Sequence, residues 1–300
     1  MSTAHGIPAA RERVTFREWI TNPWAETRFL WVVGIGYVLW SLIPVAVAVF
    51  YSFNRGRTVT KWEGFSLRWY TWDPTGSVMH DPALQHAILQ SLKLASLTVI
   101  LSVPLAVAFA LALHRWRSRT AGATNFIMLF SFVTPELILA VSLFLLFINA
   151  FKVVGLGTTA QLIGLVVLAL AYPVVIVRAR LLSLGPSFEE AAMDLGASPA
   201  RTLVRVTIPL LAPSIFGSAA IVFALTLDDF VIVNQLSSGA GSQTVSMAIY
   251  GAAKTSATPA VNAIGTLMLV VSTTLILIAG LVFRRAARKT GDAPGVPGAA

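Results

Sequence analysis

Six long apolar runs constrain this chain more than any other feature. A helix needs roughly 20 apolar residues to cross a hydrocarbon core. The runs Phe29 to Phe53, Ala87 to Leu113, Ala123 to Ala150, Ala160 to Leu182, Pro209 to Val233 and Val261 to Phe283 all reach that length. Lys93 stands near the start of the second, but Leu94 to Leu113 is uncharged and long enough alone. The residues are 56% hydrophobic and 12% charged, with mean hydropathy +0.76. A soluble domain carries about 25% charged residues. A chain with half that charge cannot cover a water-facing surface, so lipid is its solvent. The expected fold is an all-α membrane protein of six transmembrane helices. There is no cysteine, which excludes a disulfide framework and a cysteine metal site, and the four His are scattered with no ligand-like pair.

The net charge of +9 points to anionic lipid and to orientation rather than to nucleic acid. With the N-terminus inside, the inner segments carry Arg11, Arg13, Arg17, Arg28, Arg115, Arg117, Arg119, Arg178, Arg180, Arg201, Arg205, Arg284, Arg285, Arg288 and Lys289. Only Arg55, Arg57, Lys61, Arg68, Lys152 and Lys254 then lie outside. Fifteen against six fixes the expected topology, and six spans place both termini in the cytoplasm. No small-residue cleavage site follows the first run, so it reads as a retained span. The domains expected are a cytoplasmic segment 1–28, a transmembrane domain 29–285 and a tail 286–300. The tail is rich in Gly, Pro and Ala from Thr290 and is expected to be disordered.

One polar stretch, Ser187 to Pro209, interrupts the apolar pattern on the inner side. Ser187 and Glu190 have the spacing of a capping box that starts a helix. Gly196 can end it in a left-handed turn, and Ser198-Pro199 can start a second helix with Pro at its first position. The expected result is a knob of two short helices bent at glycine. Glu190-Ala191-Ala192, Gly196, Val206, Ile208 and Pro209 resemble the EAA loop of membrane subunits of ABC importers. The nine-residue gap after Gly196 is kept, while Val206 and Ile208 replace the usual Ile and Leu. The resemblance implies that this cytoplasmic coupling loop docks into a cleft on a separate ATPase subunit. Glu189, Glu190, Ala191, Ala192, Gly196 and Pro209 are the coupling residues it implies. A plain amphipathic loop helix is the alternative.

No G-x-x-x-x-G-K-[ST] loop and no H-E-x-x-H pair occurs, so no cofactor is expected in this chain. ATP and Mg would be held by the partner ATPase. Ionisable residues inside spans are costly and mark function by default. Lys93 can snorkel to the interface. Glu136 lies about 20 Å along the third run, after Pro135, which removes a backbone donor. A broken helix with an acidic residue suits the lining of a polar path. Asp228 and Asp229 end a run of about 29 Å from Pro209 and so lie near the outer interface. Neighbours on a helix diverge by about 100°, so only one is expected to face a given cavity. A cation would relieve their mutual repulsion; a cap on the span is the plainer role. Ser214 with Ser218, and Ala220 with Ala224, permit close helix contact.

Thr134-Pro135-Glu136-Leu137, Leu225-Thr226-Leu227-Asp228-Asp229-Phe230 and Thr258-Pro259-Ala260-Val261-Asn262-Ala263 look like the polyamine-importer branch, specifically its second permease subunit. The resemblance covers residues 30 to 285. It implies import of putrescine or spermidine across a bacterial inner membrane, with an ATPase dimer, a different second permease and an extracytoplasmic solute-binding protein as partners. The first outer loop, Asn54 to His86, carries Trp62, Phe65, Trp69 and Tyr70. These aromatics suit an interfacial belt or contact with that binding protein. A permease for a ferric ion, sugar or amino-acid-like solute shares parts of these motifs. A stand-alone secondary transporter would show an inverted repeat, and none is detectable. An intramembrane aspartyl protease needs two carboxylates converging on one water, whereas Asp228 and Asp229 are expected to diverge and Glu136 to lie at another depth.

Overall fold

A computed structural model of the 300-residue chain describes residues 28–74, 76–115, 133–255 and 258–289. The segment 1–27, the early part of the third apolar run and the tail from 290 therefore lie outside the described residues. The chain forms two compact units, 1–48 and 49–300. The described part of the first consists of most of helix α1, Arg28–Ser52, which is apolar all round and contains Pro44. Such a helix has no polar face to offer water.

Among its described residues the regular structure of the second unit is helical, apart from one isolated antiparallel bridge between Asn54 and Phe65. It contains α2 (Arg68–Thr71), α3 (Pro82–Arg115), α4 (Glu136–Asn149), α5 (Thr158–Ala169), α6 (Ala171–Leu184), α7 (Ser187–Asp194), α8 (Pro199–Thr202), α9 (Ile208–Asp228), α10 (Val231–Gln235), α11 (Val245–Thr255) and α12 (Pro259–Lys289). Helices α5 and α6 are one membrane-length segment, Thr158–Leu184, and α8 runs on into α9 as another, Pro199–Asp228. With α1, α3 and α12, five described segments are long and apolar enough to cross a bilayer. α4 is a shorter apolar helix of 14 residues, the described part of the third expected span. Pro173 cannot donate to the carbonyl of Ala169, which accounts for the interruption at Leu170.

Helix α9 is the centre of the bundle and packs against α3, α6 and α12. Ser214 and Ser218 are buried on it, as their four-residue spacing predicts. Ala106, Ala110, Val174, Val177, Leu181 and Leu211 form the core where α3, α6 and α9 meet. The outward faces keep large apolar side chains exposed, among them Ile100, Leu101, Leu145, Leu146, Leu277 and Ile278. Exposure of that kind fits a lipid solvent.

Between α9 and α12 the chain folds back instead of leaving the bundle. Ile232 and Val233 of α10, and Leu236 just after it, are buried against Leu94, Ala140, Leu143, Phe147 and Leu165. Gly164 permits this approach, since a Cβ there would meet Leu236 Cδ1 at 2.7 Å and Ile232 Cγ2 at 2.8 Å. The fold-back exposes backbone groups that a membrane interior cannot solvate. Gln161, fully buried, supplies the partners: its Nε2 donates to the carbonyls of Val233 at 2.8 Å and Ser242 at 2.9 Å. Gln90 Nε2 donates to Thr158 Oγ1 at 2.8 Å and to Gln161 Oε1 at 3.4 Å. Ser91 Oγ accepts the amide of Val245 at 2.9 Å. Nothing in the local sequence marks these residues, since the signal lies in their distant partners.

The loop after α1 is also built around one buried residue. Asn54 Nδ2 donates to the carbonyls of Thr58 and Lys61, and its Oδ1 accepts from the amides of Gly56 and Glu63. Trp69 Nε1 donates to the Asn54 carbonyl at 2.7 Å while its ring packs on Ala260 and Ala263. Trp62 stacks on Phe50 at 4.2 Å. Phe65, Leu67 and Trp72 remain exposed. Trp69, buried between the loop and α12, is thus neither a belt residue nor a contact for a partner.

Replacing Gln161 by Leu leaves two buried carbonyls without a donor. The expected cost is about 2–4 kcal/mol, measurable as a lowered denaturation midpoint of the detergent-solubilised protein.

Candidate functional site: an acidic cavity and a helical elbow

The elbow forms where the sequence places it, with two differences. α7 begins one residue earlier than a capping box requires. The carbonyl of Pro186 already accepts from the Glu190 amide, and no side chain caps this end. Ser187 is therefore inside the helix, because Gly185 at φ +66° turns the chain and Pro186 adopts helical angles. The C-terminus follows the Schellman pattern: Gly196 N donates to the Met193 carbonyl at 2.8 Å and Ala197 N to the Ala192 carbonyl at 3.0 Å. Gly196 has φ +84°, the conformation that an L side chain resists. Ser198 caps α8 through its Oγ, which accepts from the Arg201 amide at 3.4 Å, and Pro199 is the first helical residue.

The second difference is that α8 is not a separate short helix. It passes through a π-helical turn, Leu203–Thr207, directly into α9. Ile208 N donates to the Leu203 carbonyl, five residues back. Pro209 has no N–H for the Arg205 carbonyl, so the wider turn absorbs the mismatch.

No side chain of α7 is buried. Glu190 and Ala191 are exposed, and so are the apolar Phe188, Met193 and Leu195, the last with 90% of its surface open. Pro209 is exposed at the start of α9. Glu189 differs from its neighbours because it turns back to the bundle. Its Oε1 accepts from Thr207 Oγ1 at 2.7 Å, and Arg115 Nη2 donates to Oε1 at 3.1 Å and Oε2 at 3.2 Å. The Thr207 hydroxyl, and after it the Arg115 guanidinium, hold the Glu189 carboxyl below its ordinary value, against the opposing effect of partial burial. A cavity of about 260 Å³ surrounds this contact, with His114, Gly185, Pro186 and Phe188 also in its wall.

At the other end of α9 lies the second element, a cavity of about 300 Å³. Glu136, Asp228 and Asp229 all line it, with Tyr172, Thr226 and Phe230. Glu136 opens α4 immediately after Pro135, whose φ −58° and ψ 129° break the helix as expected. The depth reckoned along an unbroken helix separates Glu136 from the aspartates, but the structure brings them together. Glu136 and Asp229 line the same cavity. Both aspartates border this cavity where only one is expected, and α9 ends between them: Asp228 is its last residue and Asp229 has angles of −59° and 124°. Asp229 Oδ1 accepts from the amides of Ile232 at 3.1 Å and Val233 at 3.2 Å, so it caps α10 rather than α9. Asp228 is exposed and also borders a second cavity of about 400 Å³ with Ser246, Met268 and Ser272. Lys93 is exposed and lines neither cavity. With the carboxyls gathered at one cavity, their expected separation gives no ground against a protease.

A bundle of membrane-length helices with an acidic cavity inside and a polar elbow projecting from it is the architecture of a transport permease. The chain belongs to the family of binding-protein-dependent transport system inner membrane components, whose profile matches residues 76–290. It is 33% identical over 231 residues to the putrescine transport system permease protein PotI of Escherichia coli (strain K12), covering 75% of this chain and 80% of that one. It is 32% identical over 245 residues to the spermidine/putrescine permease protein PotC of Haemophilus influenzae, covering 81% and 91%. Among solved structures, a bacterial ABC transporter importing the acidic polysaccharide alginate superposes with TM-score 0.68 at 18% identity, over 90% of this chain and 96% of that one. An amino acid ABC transporter superposes with TM-score 0.55 at 22% identity, over 72% and 100%. These two share the fold. The chain is thus an inner-membrane transport subunit and not an enzyme. Membership of the family, rather than the geometry of the carboxyls, sets the protease aside.

The depressed Glu189 value fixes a pH sign. A carboxyl lowered by its partners contributes its tie above the ordinary carboxylate range and loses it as pH falls through the lowered value. Proteolysis at Arg201 and Arg205 in detergent should quicken on acidification below that range, and Glu189→Gln should remove the acid dependence. Gly196→Val, which forces a β-branched residue to φ +84°, should destroy the turn while leaving the bundle's thermal stability unchanged. Circular dichroism melting and elbow proteolysis read the two effects separately.

Proposed function

We propose that this chain is one of two permease subunits of an ATP-driven importer that moves polyamines into the cytoplasm by alternating access. The observation that carries the cargo assignment is the cavity itself. Among the described residues three carboxyl side chains line it, and no Lys, Arg or His does. A flexible polycation supplies the counter-charge that such a site lacks. The names of the relatives, putrescine and spermidine permeases, agree with that chemistry.

On this reading both termini and the elbow face the cytoplasm, as the distribution of Lys and Arg implies. The exposed Phe188, Met193 and Leu195 then form the apolar part of a docking surface for a separate ATPase, with Glu190 reaching a basic residue on it. The ATPase holds ATP and Mg, and this chain needs no cofactor. A second, different permease completes the path, and a solute-binding protein delivers cargo at the face bearing Phe65, Leu67 and Trp72.

The test is ATP-dependent uptake by vesicles holding the whole complex, with labelled putrescine and spermidine competed against a neutral sugar and a ferric chelate. Only the polyamines should compete. Competition by the sugar or the chelate alone would overturn the cargo assignment and keep the importer. Two variants sharpen the test. Glu136→Gln removes one carboxyl, and Asp229→Asn removes another while keeping an oxygen that can still cap α10. Each should lower kcat/KM for putrescine at least about ten-fold, the loss of roughly 1.4 kcal/mol of interaction. Unchanged uptake in both would make the carboxyls structural.

A further inference from the structure

Three elements far apart in sequence meet at one carboxylate. Arg115 is the last described residue of α3, Glu189 lies in the first turn of α7, and Thr207 closes the π turn that feeds α9. Arg115 and Thr207 both donate to Glu189 Oε1, and Arg115 also to Oε2. The rest of α7 is loosely held. It has no buried side chain, and it is flanked by Gly185 and Gly196, both at positive φ. Glu189 is thus its ionic attachment to α3, made beside its packing on the π turn and α8.

Of the helices so joined, α9 lines the acidic cavity and α3 bonds to the segment that follows it. α9 ends at Asp228 in the cavity wall. α3 packs on α5, α6 and α9, and its Ser91 accepts the amide of Val245. Next to Val245, Ser246 Oγ donates to the Asp229 carbonyl at 2.6 Å. A displacement of α7 is therefore delivered at one end to α3 and α9 together, and both lead to the segment that carries Asp229. The joint suits a moving part. The guanidinium and carboxylate keep 44% and 29% of their side-chain surface open, and a pair so exposed is weak enough to open and close. The cavity around it leaves room to do so.

We propose that Glu189 is a positioning residue, whose carboxylate couples movement of the elbow simultaneously to α3 through Arg115 and to α9 through Thr207. The proposal rests on the reading of the elbow as the ATPase dock. It differs from that reading in assigning Glu189 to the bundle, not to the ATPase surface.

The experiment purifies the complete complex, reconstitutes it with its binding protein, and measures putrescine uptake and ATP hydrolysis together. In Glu189→Gln and Arg115→Gln, uptake per ATP hydrolysed should fall about five-fold, within the range of a coupling contact that touches no ligand. Thr207→Val should fall less, and Thr207→Ser should match the wild type. The charge swap Arg115→Glu with Glu189→Arg should recover at least half of the lost ratio, which a merely destabilising change would not allow. A wild-type ratio in both single variants, or a swap no better than the worse single, overturns the proposal. Loss of the ATPase from the single variants overturns it too, since Glu189 would then belong to the dock. A wild-type complex that purifies without any ATPase removes the docking reading and this proposal with it.

Discussion

A backbone amide or carbonyl freed inside a membrane has no water to turn to. That constraint orders this structure. Where the helices run unbroken, they need only apolar side chains and small residues at their contacts. Where they break, a specific polar group must be present. The fold-back after α9 is held by Gln161, Ser91 and Asp229. The interruption before Pro209 is absorbed by a π turn whose last residue, Thr207, reaches Glu189. These breaks are where polar chemistry enters the bundle, and both candidate functional elements sit on them.

The two elements occupy opposite ends of one helix. Helix α9 starts from the elbow through α8 and the π turn, and ends at Asp228 beside Glu136 and Asp229. In the elbow no side chain of α7 is buried, whereas Asp229 at the acidic cavity is. Such an arrangement suits a subunit whose energy arrives from outside. An exposed helix at one end is joined to a cavity at the other by a packed rod. Asp229 has two duties there: it lines the cavity and caps α10. Replacing it by a residue that cannot cap would confuse the two.

Much of this was legible in the sequence, and the residues show why. The apolar runs follow from length alone, and five of them are membrane-length helices with Glu136–Asn149 in the sixth. Gly196 and Ser198-Pro199 were legible because turn and cap chemistry is local. Ser187 was misleading because Gly185 and Pro186, just upstream, start the helix first. The π turn was hidden because Pro209 could equally have opened a new helix. Counting rise along unbroken helices separates Glu136 from the aspartates, when breaks at Pro135 and Asp229 bring them together. Gln161 and the tie of Glu189 to Arg115 could not be read at all, since their partners lie about 70 residues away in sequence.

The central claim is that the elbow faces the cytoplasm and is gripped there by a separate ATPase. The chain has no cysteine, so Leu195→Cys provides a unique thiol at the most exposed point of that surface. The decisive measurement is its labelling by a membrane-impermeant maleimide in intact cells, in inverted vesicles stripped of the ATPase, and in inverted vesicles with the complex intact. Labelling only in stripped inverted vesicles, with protection by the bound ATPase, is the result expected. Labelling from outside intact cells, or equal labelling with and without the ATPase, would contradict the account.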